Sequence, residues 1–376
     1  MTTANEVVPK TMRAVVLTGY GGVEKLELRQ DYPVPQIGTG DVLVRVGACG
    51  INNTDVNLRT RWYDRAGNEA LTEDVGLKGV SLGGADAQTA ASWNTDAVKF
   101  PRIQGAAVVG RIAAVGAGVD PSRIGERVIL DPQIRDLSLP LRAQLVAYLG
   151  GDRDGGFAEY VAIPAENAHS VNCTLTDAEL ATFPTSYDTA EEMLERTRLA
   201  SGETVVVTGA AGGVGTALIQ LAKARGAKVI AIAGPGKGDR LLEIGADTFV
   251  PRDSEDVLAA VQEITGAQGA DVVLDVVGGA MFGALLKMLS RGGRYASAGA
   301  IAGPVQQIDL RDLIYKDLEM FGITCPVPET FRRVVRLAET GQIRPLVEKI
   351  FRLEDLREAQ GELVKRRHVG KLVVEI

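Results

Sequence analysis

The spacing of hydrophobic residues changes character near residue 175. From residue 12 to 165 they fall in short runs bounded by turn residues, such as VLVRVGACGI, GRIAAVG and ERVILD, which is the pattern of strands. From 178 to 300 helix-length and strand-length segments alternate. The run Thr204-Val205-Val206-Val207-Thr208 is apolar without alternation, as expected of a parallel strand covered on both faces. A glycine cluster follows, then Val214 to Ala224 with Leu218, Leu221 and Ala222 on one helical face, then 228–233 as a second strand. The alternation predicts helices over 239–244, 254–265 and 280–289 and strands over 247–250, 271–277 and 294–298. That order is a doubly wound parallel sheet in an α/β chain. Residues 329–340 and 353–365 read as helices, 371–376 as a strand, and 318–324 as an edge strand.

The turn after Thr208 carries the first chemical signal. Gly209, Gly212, Gly213 and Gly215 stand where a side chain would obstruct a tight turn, the approach of backbone to a pyrophosphate, or packing of helix on strand. The following helix aims free N–H groups and a positive dipole end at that turn, so a phosphate is stabilised there. Strand, turn, helix and second strand together predict a dinucleotide-binding crossover; the plain alternative is a glycine-rich turn with no ligand. A free ribose 2′-hydroxyl is usually held by an acid at the end of the second strand. Here that end reads Ala233-Gly234-Pro235-Gly236-Lys237, and no carboxylate precedes Asp239. Lys237 as a point charge and Arg240 as a fork suit a 2′-phosphate, so the expected cofactor is NADPH rather than NADH. Against this, a loop lysine such as Lys237 is ordinarily solvated.

At 376 residues the chain exceeds one core and predicts two domains. A net charge of −7 without a basic run argues against nucleic acid and for a small-molecule substrate. The longest uncharged stretch, 204–222, holds a glycine cluster, threonines and a glutamine, so no membrane span is expected. The start, MTTANEVVPKTMRAVV, lacks an apolar export core, which predicts a cytoplasmic protein. Cys49, Cys173 and Cys325 form no disulfide framework, and His169 and His368 read as surface or packing residues.

Several motifs in order resemble one family across nearly the whole chain: MRAVVLTGYGGVEKLEL, ACGINNTDVNLRTRWY, GRIAAVGAGV, GGFAEY, TGAAGGVG, LDVVGG, RGGRYASAGA and HVGKLVV. They resemble the medium-chain dehydrogenase/reductases, and within them the zinc-independent quinone reductases and related enoyl reductases. The resemblance implies a GroES-like β-rich catalytic domain from residues 1–177 with a return over 323–376. It also implies a Rossmann nucleotide domain over 178–322, and an active site in the cleft between them. The zinc-using branch has cysteine at the position of Asn52, His-Glu at Ala106-Ala107 and cysteine at Thr185, and 131–156 holds no cysteine, so no metal is expected.

By the same resemblance Asn52, Asp55 and Tyr63 are the catalytic residues, with Tyr63 donating a hydrogen bond or proton to the substrate oxygen. Gly209, Ala211, Gly212, Gly213, Val214, Gly234, Lys237, Arg240, Val277, Gly278, Ala298, Gly299 and Lys371 are the expected cofactor contacts, Lys371 alternatively being a solvated strand-end lysine. Plainer roles stand beside these. Asn52 to Asp55 suit the cap of a helix starting near Val56, Trp62 and Tyr63 suit packing, and Arg59 and Arg61 suit solvated arginines. The implied reaction is hydride transfer from NADPH to a quinone or α,β-unsaturated carbonyl. Alternatives are an NADP-dependent alcohol/ketone dehydrogenase and a cofactor-binding sensor or crystallin-like protein without turnover. The edge strand implies a homodimer. A long stretch between Tyr63 and Pro101, where the family has a short connection, is either a lid with Trp93 as a contact or a surface insertion.

Overall fold

The computed structural model describes residues 8–64, 67–80, 98–140 and 143–376. Six parallel strands form one sheet in the order Thr248–Pro251, Lys228–Ala233, Thr204–Val207, Ala270–Asp275, Leu289–Ser297 and Glu319–Gly322. Strand order therefore reverses beside Thr204–Val207, which places a crevice at its carboxyl end. Val205, Val206 and Val207 are fully buried, because helices cover both faces. This is the Rossmann-like sheet that the unbroken valine run predicts. Glu319–Gly322 closes one side with a single strand neighbour among the described residues, and Met320 on it is 41% exposed.

A second, β-rich body is built from both ends of the chain. Its central strand, Asp41–Gly50, pairs with Ala107–Val115, with Tyr160–Pro164 and with the final strand Lys371–Glu375. The final strand in turn pairs with Val347–Arg352. Thr11–Leu17 makes a separate small sheet with Leu26–Pro33 and Arg102–Ile103. The antiparallel register Gly50 to Val373 brings Lys371 beside the residues that follow Gly50, and the Ile51 N–H donates to the Leu372 carbonyl at 2.9 Å.

Element ends move where caps decide them. The helix Asn53–Arg59 starts three residues before Val56, because the Asp55 carboxylate turns back onto the Asn52 N–H and closes a capping box. The helix Val257–Thr265 starts later than residue 254, because Asp256 accepts from the Ala259 N–H. Among the described residues no helix is long and apolar enough to cross a membrane.

Candidate active site

A cleft of about 560 Å³ runs between the two bodies along the carboxyl edge of the parallel sheet. The four glycines of the turn divide the work there. Gly209 has φ +56°, a left-handed conformation that disfavours a side chain. A Cβ on Gly215 would strike the Gly209 carbonyl and Ala210 backbone, so it serves helix-on-strand packing. Gly212 meets nothing closer than 3.5 Å and opens on the cleft. Gly213 begins the helix Gly213–Ala224, and a Cβ there would strike the Lys371 stem and lie 2.8 Å from Ser186 Oγ. One strand over, buried Asp275 accepts from the Val277 and Gly278 N–H groups at 2.9 and 3.1 Å, from Thr208 Oγ1 at 2.5 Å and from the Tyr295 hydroxyl at 2.7 Å. These bonds fix the loop whose Val277 and Gly278 line the cleft, with Ala298 and Gly299 beside them. Ala211, Val214 and Gly234 line it as well.

At the far end of the second strand, the structure redistributes the expected phosphate contacts. Lys237 lines the cleft, but its ammonium donates to the Arg366 and His368 carbonyls at 2.7 and 3.0 Å. Burial, then neighbouring Arg252, lowers its pKa. Arg240 is corrected: it does not line the cleft and instead pairs with Glu348 at 2.7 Å. Two basic residues absent from the expected set line the cleft there, Arg252 and Arg366. Arg252 follows the third strand and its N–H donates to the Ala233 carbonyl at 2.7 Å. Its Nη2 lies 3.7 Å from where a Cβ of Gly234 would sit, and among the described residues its guanidinium has no protein partner. The only sequence signal for it was position, at the end of the neighbouring strand. Arg366 donates to the Leu71 carbonyl, while the Leu71 N–H donates to the Ile301 carbonyl at 2.7 Å. The described part of the long insertion thus touches both bodies; Trp93 lies outside the described residues.

At the opposite end Asn52 and Tyr63 line the cleft. Asp55 does not: it is buried below, accepting from the Asn52 N–H at 2.8 Å and the Gly105 N–H at 3.2 Å, and burial pushes its carboxyl up to about 6. It holds Asn52 in place rather than facing a ligand. The Asn52 Oδ1 accepts from the Thr185 hydroxyl and from the Lys371 ammonium, and the Asn52 Nδ2 donates to the Gly50 carbonyl at 3.1 Å. Lys371 is no solvated lysine: it is 5% exposed, and its ammonium also donates to the Ile51 carbonyl at 2.8 Å. Burial pushes its pKa down to about 8, against the opposing pull of Asp55, Cys49 and Asp188. Tyr63 is half-buried, hydrogen-bonded through its hydroxyl with Asn57 and Thr54, and desolvation raises its pKa. Trp62 packs edge-on to it at 5.9 Å and donates from its indole to the Glu69 carbonyl.

Gln133 and Tyr148, which no motif marks, also line the cleft. Gln133 donates to buried Asp188 at 3.3 Å and accepts from Arg135 at 2.7 Å. Burial, reinforced by Asp131, pushes Asp188 up to about 7. Arg59 is corrected from solvated to fully buried, bonded to Gln360, Gly21 and Gly76. His169 packs on Phe331 at 5.1 Å, whereas His368 lines the cleft.

The residues around Asn52 do not fit a zinc ion. Catalytic zinc needs three N, S or O ligands and an open position, but Asn52 Oδ1 already accepts from two donors, one of them a cation. Among the described residues no group of three or more His, Cys, Asp or Glu is placed to hold a metal.

Two family models match the chain: an alcohol dehydrogenase GroES-like domain over 38–172 and a zinc-binding dehydrogenase domain over 213–340. A solved structure of a putative alcohol dehydrogenase from Sinorhizobium meliloti 1021 is 49% identical, with 98% of this chain and 97% of that one covered and a TM-score of 0.86. The NAD-dependent alcohol dehydrogenase of Sulfurisphaera tokodaii is 28% identical, covering 96% of this chain and 99% of its own. The rat quinone oxidoreductase is 26% identical over 97% and 98%. With its Rossmann sheet, its GroES-like body and a nucleotide cleft between them, the chain belongs to the medium-chain dehydrogenase/reductases, a family of nicotinamide-dependent oxidoreductases.

Proposed function

We propose that this protein is an NADPH-dependent, zinc-independent reductase of quinones or α,β-unsaturated carbonyls. The observation that carries the reading is the Asn52 amide clamped by Lys371 and Thr185, which leaves no ligand set for a metal and presents a hydrogen-bond donor instead. Oxidising a simple alcohol calls for a group that lowers the hydroxyl pKa, as a Lewis acid does. An activated acceptor asks for less. It takes hydride at an electrophilic carbon, and its oxygen needs only oriented donors as charge develops. The glycine turn, the Asp275-held loop and Lys237 form a cradle that fits a dinucleotide, whose reduced nicotinamide supplies the hydride when bound. Asn52 holds the substrate oxygen, Tyr63 orients it, Tyr63 or water supplies the proton, and Gln133 and Tyr148 bound the far end.

The NADPH preference rests on Arg252, with Arg366 beside it and no carboxylate at the strand end. The similarity to an NAD-dependent alcohol dehydrogenase favours a second reading, an NAD(P)-dependent alcohol/ketone enzyme. We also propose a homodimer through the open edge of Glu319–Gly322. A panel of quinones, enals, enones and secondary alcohols with NADPH, NADH and their oxidised forms decides the matter. Oxidation of NADPH by quinones or enones, faster than any alcohol oxidation, is expected. Faster oxidation of secondary alcohols selects the second reading, and cofactor binding without turnover selects a sensor.

A further inference from the structure

We propose that Asn52 is the group that holds the developing negative charge on the substrate oxygen, and that Lys371 is its positioning residue, setting a cation behind the amide. The proposal rests on reading the cleft as a carbonyl-reducing site. The side-chain oxygen of Asn52 accepts from both the Lys371 ammonium and the Thr185 hydroxyl, which occupies the two lone pairs an amide oxygen offers. Its nitrogen gives one N–H to the Gly50 carbonyl at 3.1 Å. The second N–H is the amide's remaining donor, on a residue that lines the cleft. Charged and neutral donors on the oxygen polarise the amide, and hydrogen bonds in series strengthen one another, so that N–H becomes a better donor to an oxyanion.

The fold makes room for this arrangement. Lys371 reaches Asn52 by passing over Gly213, where a Cβ would strike its stem. Backbone bonds on either side of the lysine hold it: the Gly370 N–H donates to the Ala211 carbonyl, and the Ile51 N–H to the Leu372 carbonyl, each at 2.9 Å. In the reaction, the hydride and its electron pair add to the β-carbon, the C=C pair shifts toward the carbonyl, and the oxygen carrying the resulting negative charge sits on the Asn52 N–H. The proton that completes reduction comes from Tyr63 or water.

The test reads charge stabilisation without turnover. The visible absorbance of bound 4-nitrophenol, a stand-in for the oxyanion, reports its ionisation in the wild type and in K371M, K371R, T185V and N52A. The wild type is expected to favour bound phenolate at least tenfold over solution. K371M and N52A should lose that preference, K371R should keep it and T185V should weaken it. In turnover, K371M should lower kcat about 10²–10³-fold with little change in the Kd for NADPH. The groups facing Lys371 are Asp55 and Cys49 from the catalytic body, Asp188 from the nucleotide body and His368 from its own segment. The wild-type rate should fall as pH rises through about 8, and K371R should remove that limb. Unchanged phenolate binding in folded K371M, with a Kd for NADPH weakened as much as kcat, overturns the proposal and makes Lys371 a cofactor ligand. Should K371M not fold, equal phenolate preference in T185V, N52A and wild type overturns it instead. If the wild type reduces no quinone or enone, the carbonyl reading fails while the phenolate arm still judges Asn52 and Lys371.

Discussion

Replacing Arg252 with alanine should separate a 2′-phosphate from a 2′-hydroxyl. The Nη2 of Arg252 lies 3.7 Å from the position of a Gly234 Cβ, at the end of the strand where the adenosine ribose is expected. A hydrogen bond to a charged group contributes about 1.5–3 kcal/mol, and Arg252 is exposed, so the lower end applies. About 1.5 kcal/mol corresponds to roughly a tenfold change in Kd. Lys237 should not compensate, because its ammonium is spent on two backbone carbonyls. The R252A variant is therefore expected to bind NADPH about tenfold more weakly, with the Kd for NADH changed by less than about twofold. Screening should shrink the gap between the two cofactors, since the Debye length is about 10 Å at 0.1 M salt and about 3 Å at 1 M. Titration of reduced-nicotinamide fluorescence with wild type and R252A measures four constants at each salt level. Equal weakening of both cofactors, or no weakening of NADPH, would refute the assignment of Arg252 to a phosphate.

Neighbouring glycines should fail differently. G213A places a methyl against Lys371 and Ser186 and should cost about 1–3 kcal/mol in denaturant unfolding, whereas G212A should leave stability near wild type and weaken NADPH binding. Y63F should lower kcat about 10²-fold or more while sparing the Kd for NADPH; a rise in KM alone would reduce Tyr63 to a positioning role. Asp188 has its folded pKa raised to about 7 by burial, so its neutral form is the one the fold favours. Its contribution is fully present below the unfolded value of about 3.9 and is lost as pH rises toward 7. The excess of D188N over the wild type in Tm should be smallest near pH 4 and widen up to about pH 7, staying constant above; a gap independent of pH would remove Asp188 as the titrating group.

The parts of the site that were legible in the sequence are those whose physics is local. Gly215 answers to the Gly209 and Ala210 backbone a few residues away and Gly209 to its own positive φ, and the valine run before them needs both faces covered whatever lies elsewhere. Asp55 shows the limit of local reading: the same four residues that signal a cap also match a catalytic motif, and the carboxylate is spent on the Asn52 and Gly105 N–H groups. Arg240 and Lys237 follow the strand end where the sequence lacks a carboxylate, yet Glu348 and the 366–368 carbonyls, more than a hundred residues on, take up their charges. Arg252 is illegible in the sequence for the converse reason. Nothing in its own segment marks it, and only the register of the third strand against the second sets it beside Gly234.

Distance along the chain also explains why the sequence leaves Lys371 between a cofactor contact and a solvated strand end. It meets Asn52 across 319 positions, and the contact exists only because the last strand pairs antiparallel with the strand ending at Gly50. Side chains alternate faces along a strand, so a slip of one residue in that register would turn Lys371 away from Asn52 and bring a neighbour to its place. The register is pinned on the far side by Val347–Arg352 and at its start by the Gly370 to Ala211 bond. That bond ties the lysine's strand to the glycine turn itself. The turn that cradles the cofactor and the amide that faces the substrate are thus held by one strand, and any change that loosens it should disturb both sites together.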